Sequence, residues 1–261
     1  MTGDAPERAL ALFDKSVLKQ AKYRALVRFV GDVDGKTCLD LGSDNGVLSL
    51  LLRRRGGRWS SADLAEKAVE AIRAVVGSDV HRTDGATLPF ADGSFDLVVV
   101  IDMLEHVRDD AAFVAELARV TRAGGELVLN VPHRKPWSVG RPLRNVLGLT
   151  DEWHGHLRPG YDLGEIQSLL DGRFEMVANA TYSKVFSEIL DVALNWAYAR
   201  KSGGPGRESE KGTVVSANDL ARFEREFRLL SRVYPLLRLF TRLDRLVPAR
   251  GYALIVKARR L

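Results

Sequence analysis

An acidic residue followed by two spaced glycines forms the segment of this sequence best suited to hold a small ligand. The segment Cys38–Gly46 reads CLDLGSDNG and joins a short apolar run to a helical pattern. Gly42 and Gly46 let the backbone approach a ligand closely because neither residue carries a Cβ. Asp44 and Asn45 can still form a tight turn, since Asp and Asn enter left-handed conformations more readily than other non-glycine residues. We predict that this turn contributes five ligand-binding residues: Asp40, Gly42, Ser43, Asp44 and Gly46.

Two further acids stand where later apolar runs end. Asp63 lies in the run SSADL, 21 residues after Gly42, and Asp84 precedes Gly85. A carboxylate can accept hydrogen bonds from two neighbouring hydroxyls at once. Parallel sheets bind ligands beyond the carboxyl ends of their strands, which is where these acids would meet. We predict that the same ligand site includes Asp63, Leu64, Asp84 and Gly85.

The set Asp102, Glu105 and His106 follows the most apolar run of the chain. If this segment is helical, the three side chains share one face. Two carboxylates and an imidazole could then hold Mg²⁺ and acidify a phenol hydroxyl. The imidazole could instead act as a general base, or the Glu-His pair could be structural. We predict that Asp102 joins the ligand site, that His106 is the catalytic base and that no metal binds; a metal on all three residues is the alternative.

Imidazole and aromatic side chains are concentrated in the loop-like segment Pro132–Gly160 and just after it. They follow the fifth predicted strand, at the sheet edge that carries the ligand site. Each is as compatible with an ordinary surface loop as with a contact to a substrate. The candidate substrate-binding residues are His133, Trp153, His154, His156 and Tyr161.

Short apolar runs alternate with helical patterns through most of the chain, after a helix predicted over residues 6–30. This alternation predicts βαβ units, in which helices cover both faces of a parallel sheet. The run Leu97–Ile101 (LVVVI) is the clearest buried strand. The predicted strands are Lys36–Leu41, Arg58–Ala62, Val80–Thr83, Phe95–Ile101, Glu126–Val131, Phe174–Thr181 and Gly251–Ala258. The predicted helices between them are Val47–Arg55, Glu66–Val76, Ala111–Thr121 and Leu163–Leu170.

The region before the last predicted strand has a different character. Residues 184–200 show one broad apolar face, which predicts a helix. Lys201–Thr213 is rich in glycine and charge and predicts a mobile loop. Amphipathic helices are predicted before and after Pro235, because proline breaks a helix.

Basic charge is concentrated in that same region. The segment between Val214 and Arg250 contains eight arginines and four acidic residues, so it carries +4 of the net charge of +5. The Arg-rich stretch at 222–245 also carries apolar residues on other faces, so it suits an anionic membrane surface or a partner. A helical layer that buries its own apolar faces is the alternative.

The single cysteine, Cys38, cannot form an internal disulfide, so we expect a reducing compartment and a buried, unreactive thiol. The first ten residues lack the apolar run of a signal peptide. We therefore expect a cytoplasmic protein, with peripheral contact to a membrane through the basic segment as an addition.

Taken together, these motifs resemble those of the class I S-adenosylmethionine-dependent methyltransferases over about residues 36–181. Leu88–Val107 and Val120–Pro132 are similar to the small-molecule group that includes ubiquinone and menaquinone biosynthesis methyltransferases. One departure is Asp44, which stands where the family usually has a third glycine. The resemblance implies S-adenosyl-L-methionine as cofactor. It implies that the glycine turn wraps the methionine part of the cofactor and that Asp44 can face its ammonium group. It also implies that Asp63 binds the ribose hydroxyls and that Asp84 and Gly85 contact adenine.

The resemblance also implies an α/β fold: a Rossmann-like, doubly wound, seven-stranded sheet, mostly parallel with the last strand antiparallel. Residues 1–183 and 248–261 would form the cofactor-binding core. Residues 184–247 would be a helical insertion that covers the acceptor pocket as a lid. The expected reaction is direct in-line methyl transfer to a hydroxyl or an activated carbon of a small-molecule or lipid-linked acceptor.

Other functional classes fit less well. Gly31–Thr37 (GDVDGKT) is one residue short of a P-loop and precedes its strand. A nicotinamide site requires a glycine where Asp44 stands. No Asp/Asn-Pro-Pro-aromatic motif follows the fourth strand, which argues against methylation of adenine or glutamine nitrogen. An RNA-modifying enzyme or a non-catalytic, methyltransferase-like partner protein is the alternative, although we expect no nucleic acid contact.

Overall fold

A computed structural model describes residues 4–135, 137–151, 153–201 and 224–261. The strands are β1 (Thr37–Leu41), β2 (Arg58–Asp63), β3 (Val80–Arg82), β4 (Phe95–Ile101), β5 (Thr121–Pro132), β6 (Phe174–Tyr182) and β7 (Ala253–Arg260). The helices are α1 (Ala5–Phe13), α2 (Val17–Val30), α3 (Val47–Arg53), α4 (Glu66–Val76), α5 (Asp110–Val120), α6 (Gly140–Val146), α7 (Leu163–Leu170), α8 (Val185–Lys201) and α9 (Glu224–Arg242). Single 3₁₀ turns occupy Leu104–His106 and Leu243–Leu246.

The strands form one sheet in the order β3-β2-β1-β4-β5-β7-β6. Strands β1 to β5 pair in parallel, whereas β7 runs antiparallel to both β5 and β6. The predicted fold class is therefore confirmed. The strand order reverses between β1 and β4, and in sheets of this kind the crevice at that reversal binds ligands.

The sheet is buried on both faces, which explains the unbroken apolar run of β4. Val98 and Val100 pack on one face with Phe113 of α5. Leu97 and Val99 pack on the other face, in the cluster that also holds Leu26 and Phe29 of α2. Because successive side chains of a strand point to opposite faces, a central strand covered twice must be apolar throughout. Cys38 is fully buried in the second cluster, and burial raises the pKa of its thiol to about 12.

Three predicted element boundaries are wrong. The single helix over residues 6–30 is two helices, because the Ser16 side chain caps a new helix by accepting a hydrogen bond from Lys19 N (3.3 Å). The loop-like segment after β5 contains the short helix α6. Strand β5 starts at Thr121, five residues before the prediction, through two glycines that read as a turn.

The predicted break at Pro235 is also wrong, because α9 continues through this residue. A proline removes one backbone donor from a helix, but tertiary contacts can hold the flanking turns in place. Tyr234 donates a hydrogen bond to Gln20 of α2 (3.0 Å), and Phe240 packs edge-on against Phe186 of α8 at 5.1 Å between ring centroids. Of the predicted mobile loop 201–213, Lys201 ends α8 and the rest lies outside the described residues.

Hydrogen bonds connect α8 to the turn after α9 and to the segment that follows β5. Asp244, in the turn after α9, caps α8 by accepting hydrogen bonds from the backbone N of Phe186 (2.8 Å) and of Lys184 (2.8 Å). Glu188 of α8 accepts hydrogen bonds from Lys135 (2.7 Å) and Ser138 (2.5 Å), which follow β5. In the described ranges no helix combines the length and the apolar character that a bilayer span requires.

Candidate active site

The glycine turn after β1 forms a tight cradle at the point where the strand order reverses. Gly42, Asp44 and Gly46 all adopt positive φ, at 81°, 63° and 78°. A Cβ on Gly42 would overlap Ile101 O and lie 2.9 Å from Met103 Cβ. The tight turn predicted from Asp44 is thus confirmed, and the Gly42 position leaves no room for a side chain between β1 and β4.

The predicted acid at the end of β2 lies directly against this turn. Asp63 is fully buried, and its Oδ2 accepts a hydrogen bond from the Asp44 backbone N (3.3 Å). Its Oδ1 accepts one from Leu64 N (2.7 Å). A carboxylate offers about four lone-pair sites, so Asp63 retains acceptor capacity for a ligand hydroxyl. Asp63 therefore links the two loops that the sequence assigns to the same ligand.

The next predicted acid lies on the surface. Asp84 is exposed, and its carboxylate accepts hydrogen bonds from the backbone N of Ala86 (2.9 Å) and Thr87 (3.0 Å), which lower its pKa. Gly85 is buried beside Leu64, whose Cδ2 would lie 3.1 Å from a Cβ at that glycine. The structure thus brings together the backbone around Gly85 and the loop after β2, as the prediction requires.

Asp40 has a different environment from the one predicted. It is fully buried and accepts hydrogen bonds from Ser49, from Ser61 (2.7 Å) and from Arg53 (3.2 Å). Burial raises the pKa of Asp40, and the Arg53 charge opposes that rise. Both carboxylate oxygens are engaged beneath the turn, so Asp40 holds α3 in position. Ser43 is likewise buried and accepts a hydrogen bond from Ser49 N (3.2 Å).

Two lysines that the sequence analysis missed reach this cleft from α2. Lys22 donates a hydrogen bond to Asp102, and Lys19 Nζ lies 3.8 Å from Asp44 Oδ2. Burial opposes the charge of Lys22, but the Asp102 carboxylate outweighs it and raises its pKa, whereas burial lowers the pKa of Lys19. About 30% of each side chain stays accessible (29% for Lys19, 28% for Lys22 and 32% for Asp102). The four side chains therefore form a partly accessible group with no net charge.

Asp102 also begins a chain of hydrogen bonds across the sheet end. It has an unusual positive φ of 45° immediately after β4. Its Oδ1 accepts a hydrogen bond from Asn130 of β5 (2.6 Å), and Asn130 Oδ1 accepts one from the hydroxyl of Tyr182 (2.7 Å). This chain fixes the carboxylate between Lys22 and β5 at the mouth of the crevice.

The helical face predicted for Asp102, Glu105 and His106 is not observed. The 3₁₀ turn begins at Leu104, so Asp102 lies outside it and faces Lys22 instead. The described residues bring His156 to Glu105 and His106, and one ligand atom from each lies within 4.8 Å of the others. His106 Nδ1 also lies 2.8 Å from Gly155 O. A divalent cation could fit Glu105, His106 and His156, but not the alternative set that includes Asp102.

The other predicted substrate residues mostly support the loops around the cleft. Tyr161 is buried, and its hydroxyl lies 3.0 Å from Asp110 Oδ2 and 2.8 Å from an Arg158 nitrogen. His133 is buried with Nδ1 2.8 Å from Gly251 O, and burial lowers its pKa. Both side chains thus hold the segments that follow β4 and β5.

Trp153 and His154 connect this loop region to α8. Trp153 is buried in a small cluster with Leu149 and with Val192 of α8. His154 stacks on His156 at 5.3 Å between ring centroids, and burial lowers its pKa to about 3. Neither side chain belongs to the charged cleft around Asp102.

Two further titratable side chains, one in α8 and one in the segment before β7, have perturbed pKa values. Burial raises the pKa of Asp191 to about 6, and the charges of Arg144, Lys22, Asp102 and Glu188 also act on it. Burial and the Asp191 charge likewise raise the pKa of the Tyr252 hydroxyl. No sequence pattern marks these residues, because Asp191 occupies an ordinary polar position of an amphipathic helix.

Comparison with known proteins agrees with this geometry. Residues 39–129 match the model of a family described as a methyltransferase domain. Over 138 residues the chain is 34% identical to a ubiquinone biosynthesis O-methyltransferase of Hahella chejuensis, a match that covers 48% of this chain and 58% of that protein. The chain therefore spans less than two thirds of that relative's length.

Solved structures share the fold at low sequence identity. An S-adenosylmethionine-dependent methyltransferase from Mesorhizobium loti superposes with a TM-score of 0.56 and 21% identity, covering 92% of this chain and 98% of that one. The [4+2]-cyclase SpnF superposes with a TM-score of 0.59 and 18% identity, covering 94% of this chain and 83% of that one. Because a cyclase shares the fold, the reaction has to be argued from the site.

Proposed function

We propose that this chain, which carries a class I methyltransferase domain, transfers a methyl group from S-adenosyl-L-methionine to a hydroxyl oxygen of a small molecule. The observation that carries the proposal is the grouping of the glycine turn, Asp63 and the Lys22–Asp102 pair at the carboxyl ends of β1, β2 and β4, where the strand order reverses. The O-methyltransferase relative supports oxygen as the acceptor atom.

The residues around the cradle fit the cofactor in charge. Gly42 and Gly46 let the turn pack closely against the end of β4 and against α4, and Asp63 retains acceptor capacity for a ribose hydroxyl. An ammonium and a carboxylate on one ligand match the two acids and the two lysines that pair across the cleft. Lys19 would meet the carboxylate, and Asp44 or Asp102 would meet the ammonium.

When bound, the cofactor supplies a methyl group made electrophilic by its sulfonium. The residues of this chain then have to align the acceptor with that methyl group and exclude water. Asp102 is held by Lys22 and Asn130, so it presents a fixed polar wall at the mouth of the crevice. His106 remains a candidate base, although its ring contacts Gly155 and His156.

Helices α8 and α9 would cover the acceptor side of this cleft as a lid. The proposal is supported by Glu188 of α8, which contacts Lys135 just past the end of β5, and by Tyr234 of α9, which contacts α2. A lid anchored at both ends would shield the reacting sulfonium from water. The proposed division is a cofactor-binding core of residues 1–183 with 248–261 and a helical insertion of residues 184–247.

Titration calorimetry with S-adenosylhomocysteine tests the proposed site. Replacing Asp63 with Asn keeps the shape but removes the charged acceptor, so we expect binding to weaken by about 1.5–3 kcal/mol. Asp34→Asn is the matched control, because Asp34 is exposed in the turn before β1, at the opposite edge of the sheet. Wild-type affinity in Asp63→Asn would remove Asp63 from the site, and no binding to the wild-type chain would reject the function.

We further propose that α9 rests on an anionic membrane surface. Leu236, Leu239 and Leu246 are 66%, 60% and 78% exposed along α9 and the following turn. Exposed arginines flank them, while the acid Asp244 faces inward to cap α8. An outer face with apolar and cationic groups complements anionic lipid. The exposed arginines are Arg232, Arg238, Arg242 and Arg245.

Co-sedimentation with phosphatidylglycerol and phosphatidylcholine vesicles tests this surface. We expect binding to the anionic vesicles at low salt, and loss of binding in a Leu236→Ser, Leu239→Ser double variant. Leu157→Ser is the control, since Leu157 is 57% exposed in a different loop. Equal binding to both vesicle types, or none to either, would contradict the proposal. A dimer that depends on Leu236 would assign the face to a second copy instead.

A further inference from the structure

We infer that a cavity at the edge of the sheet opposite the glycine turn binds a small anion that carries phosphate groups. The cavity has a volume of about 420 Å³ and is bounded by the segment before β4, by α5 with the start of β5, by the residue before β6 and by the end of β7. Pockets of this size hold small molecules. The inference does not depend on the proposed function, because the cavity shares no lining residue with the candidate active site.

The topology separates the cavity from the candidate active site. Strands β4 and β5 are parallel and both begin at this edge, where the antiparallel strand β7 ends. Phe174, the first residue of β6, pairs with Arg260 near the end of β7. Strand β4 has 7 residues and therefore spans about 20 Å, at about 3.3 Å per residue. A small ligand in the cavity would thus lie a whole strand length away from Asp102.

Positive charge dominates the lining of the cavity, which contains four arginines and one acid. Two of the arginines have acidic partners. Arg119 pairs with Glu116 (2.7 Å) and with the lining acid Asp92 (2.6 Å). Arg122 pairs with Asp96 (2.5 Å). The four lining arginines are Arg119, Arg122, Arg173 and Arg260.

The other two arginines keep hydrogen-bond donors for a ligand. Arg260 donates from Nε to Ala118 O (3.0 Å) and from a terminal nitrogen to Arg173 O (2.9 Å). Its guanidinium also lies 5.9 Å from the ring centroid of Phe174. A guanidinium has five N–H donors, so Arg260 retains about three in a group whose orientation is already fixed. Arg173 is exposed, and among the described residues neither guanidinium pairs with a carboxylate.

The uncharged part of the lining favours a compact anion. Apart from Leu261, the described uncharged residues that line the cavity are glycine, alanine and threonine, so none of them offers an aromatic ring on which a nucleobase could stack. A phosphate group presents three acceptor oxygens in different directions, whereas a carboxylate presents two in one plane. Arginines that approach from β5, from the residue before β6 and from β7 therefore match phosphate better than carboxylate.

Inorganic pyrophosphate is the probe, titrated into the full chain at low ionic strength and followed by calorimetry. The Arg173 side chain holds no described group in place, so Arg173→Gln should fold normally. It removes a charged donor from the cavity, and we expect pyrophosphate binding to weaken by about 10-fold. Arg122→Gln changes another wall of the cavity and should weaken binding by a similar factor.

Arg259→Gln is the matched control, because it removes the same charge from the strand residue next to Arg260. Arg259 is exposed and does not line the cavity, since successive side chains of a strand point to opposite faces. It should bind pyrophosphate like the wild type. Equal weakening in Arg259→Gln and Arg173→Gln would indicate a general charge effect and overturn the inference. Absence of binding to the wild type, or tighter binding of malonate than of pyrophosphate, would also overturn it.

A lipid headgroup and a soluble anion offer the same phosphate chemistry, and vesicles distinguish the two sources. Co-sedimentation with phosphatidic acid vesicles is measured in the Leu236→Ser, Leu239→Ser background, which removes the proposed contact of α9. Once pyrophosphate binding is shown to depend on Arg173, vesicle binding that Arg173→Gln also weakens by about 10-fold would assign the cavity to a headgroup. Vesicle binding that is absent, or unchanged by Arg173→Gln, would assign it to a soluble phosphorylated anion.

Discussion

Replacing Gly42 with Ala should damage both the stability and the cofactor site of this protein. The backbone at Gly42 has a φ of 81°, and a Cβ in the left-handed region costs about 1–2 kcal/mol. The added methyl group would also overlap Ile101 O and lie 2.9 Å from Met103 Cβ, both at the end of β4. Overpacking of this kind costs about 1–3 kcal/mol. We therefore expect the free energy of unfolding to fall by about 2–5 kcal/mol.

The matched control is Gly172→Ala in the turn between α7 and β6. Gly172 has a similar φ of 69°, but a Cβ added there would have no neighbouring atom within 4 Å. It should therefore lose only the conformational part, about 1–2 kcal/mol. Urea unfolding measures both losses, and calorimetry with S-adenosylhomocysteine measures the site. Equal destabilisation in the two variants, or wild-type cofactor affinity in Gly42→Ala, would refute the argument that the cradle depends on close approach of β1 and β4.

Three further results are expected. Arg53→Met leaves the buried Asp40 carboxylate without its cation and should cost about 3–5 kcal/mol in urea unfolding near pH 7, with partial recovery when Asp40→Asn is added. Burial lowers the pKa of His154 to about 3, whereas the histidine of the unfolded chain takes up its proton at about pH 6.5. The free energy of unfolding should therefore fall by about 1 kcal/mol for each pH unit below about 6.5. Thermal unfolding of His154→Gln over the same pH range should lack this slope. Methyl transfer should survive EDTA, because in-line displacement at a sulfonium needs no Lewis acid; activity that is lost with the chelator and restored by Mg²⁺ would instead assign a cation to Glu105, His106 and His156.

The sheet could be predicted from the sequence because its physical signals are strong and local. Strand β4 was located to the residue, since a strand covered on both faces must be apolar throughout. The glycine turn was also readable, because only residues that tolerate positive φ fit there. In contrast, the start of β5 was misplaced because Gly124 and Gly125 read as a turn, whereas they lie in a bulge between the pairs Phe95–Thr121 and Leu97–Glu126.

The candidate site was predictable only on its cofactor side. Lys22 was missed because a lysine on an amphipathic helix reads the same whether it faces water or a cleft. The alternative metal set of Asp102, Glu105 and His106 assumed helical geometry, which the positive φ of Asp102 rules out. The raised pKa of Asp191 was missed for the reason that applies to Lys22, since the burial that raises it comes from tertiary packing.

These misses share a physical cause that bears on specificity. The cofactor cradle is built from β1, β2 and β4, which lie within the matched residues 39–129 apart from the first two residues of β1, and its geometry is local to the turns that follow each strand. The proposed acceptor side involves α2 and α8, which lie outside that range. Its groups come together only through tertiary packing. The matched range therefore covers the proposed cofactor side, whereas the acceptor has to be argued from residues outside that range, such as Lys22.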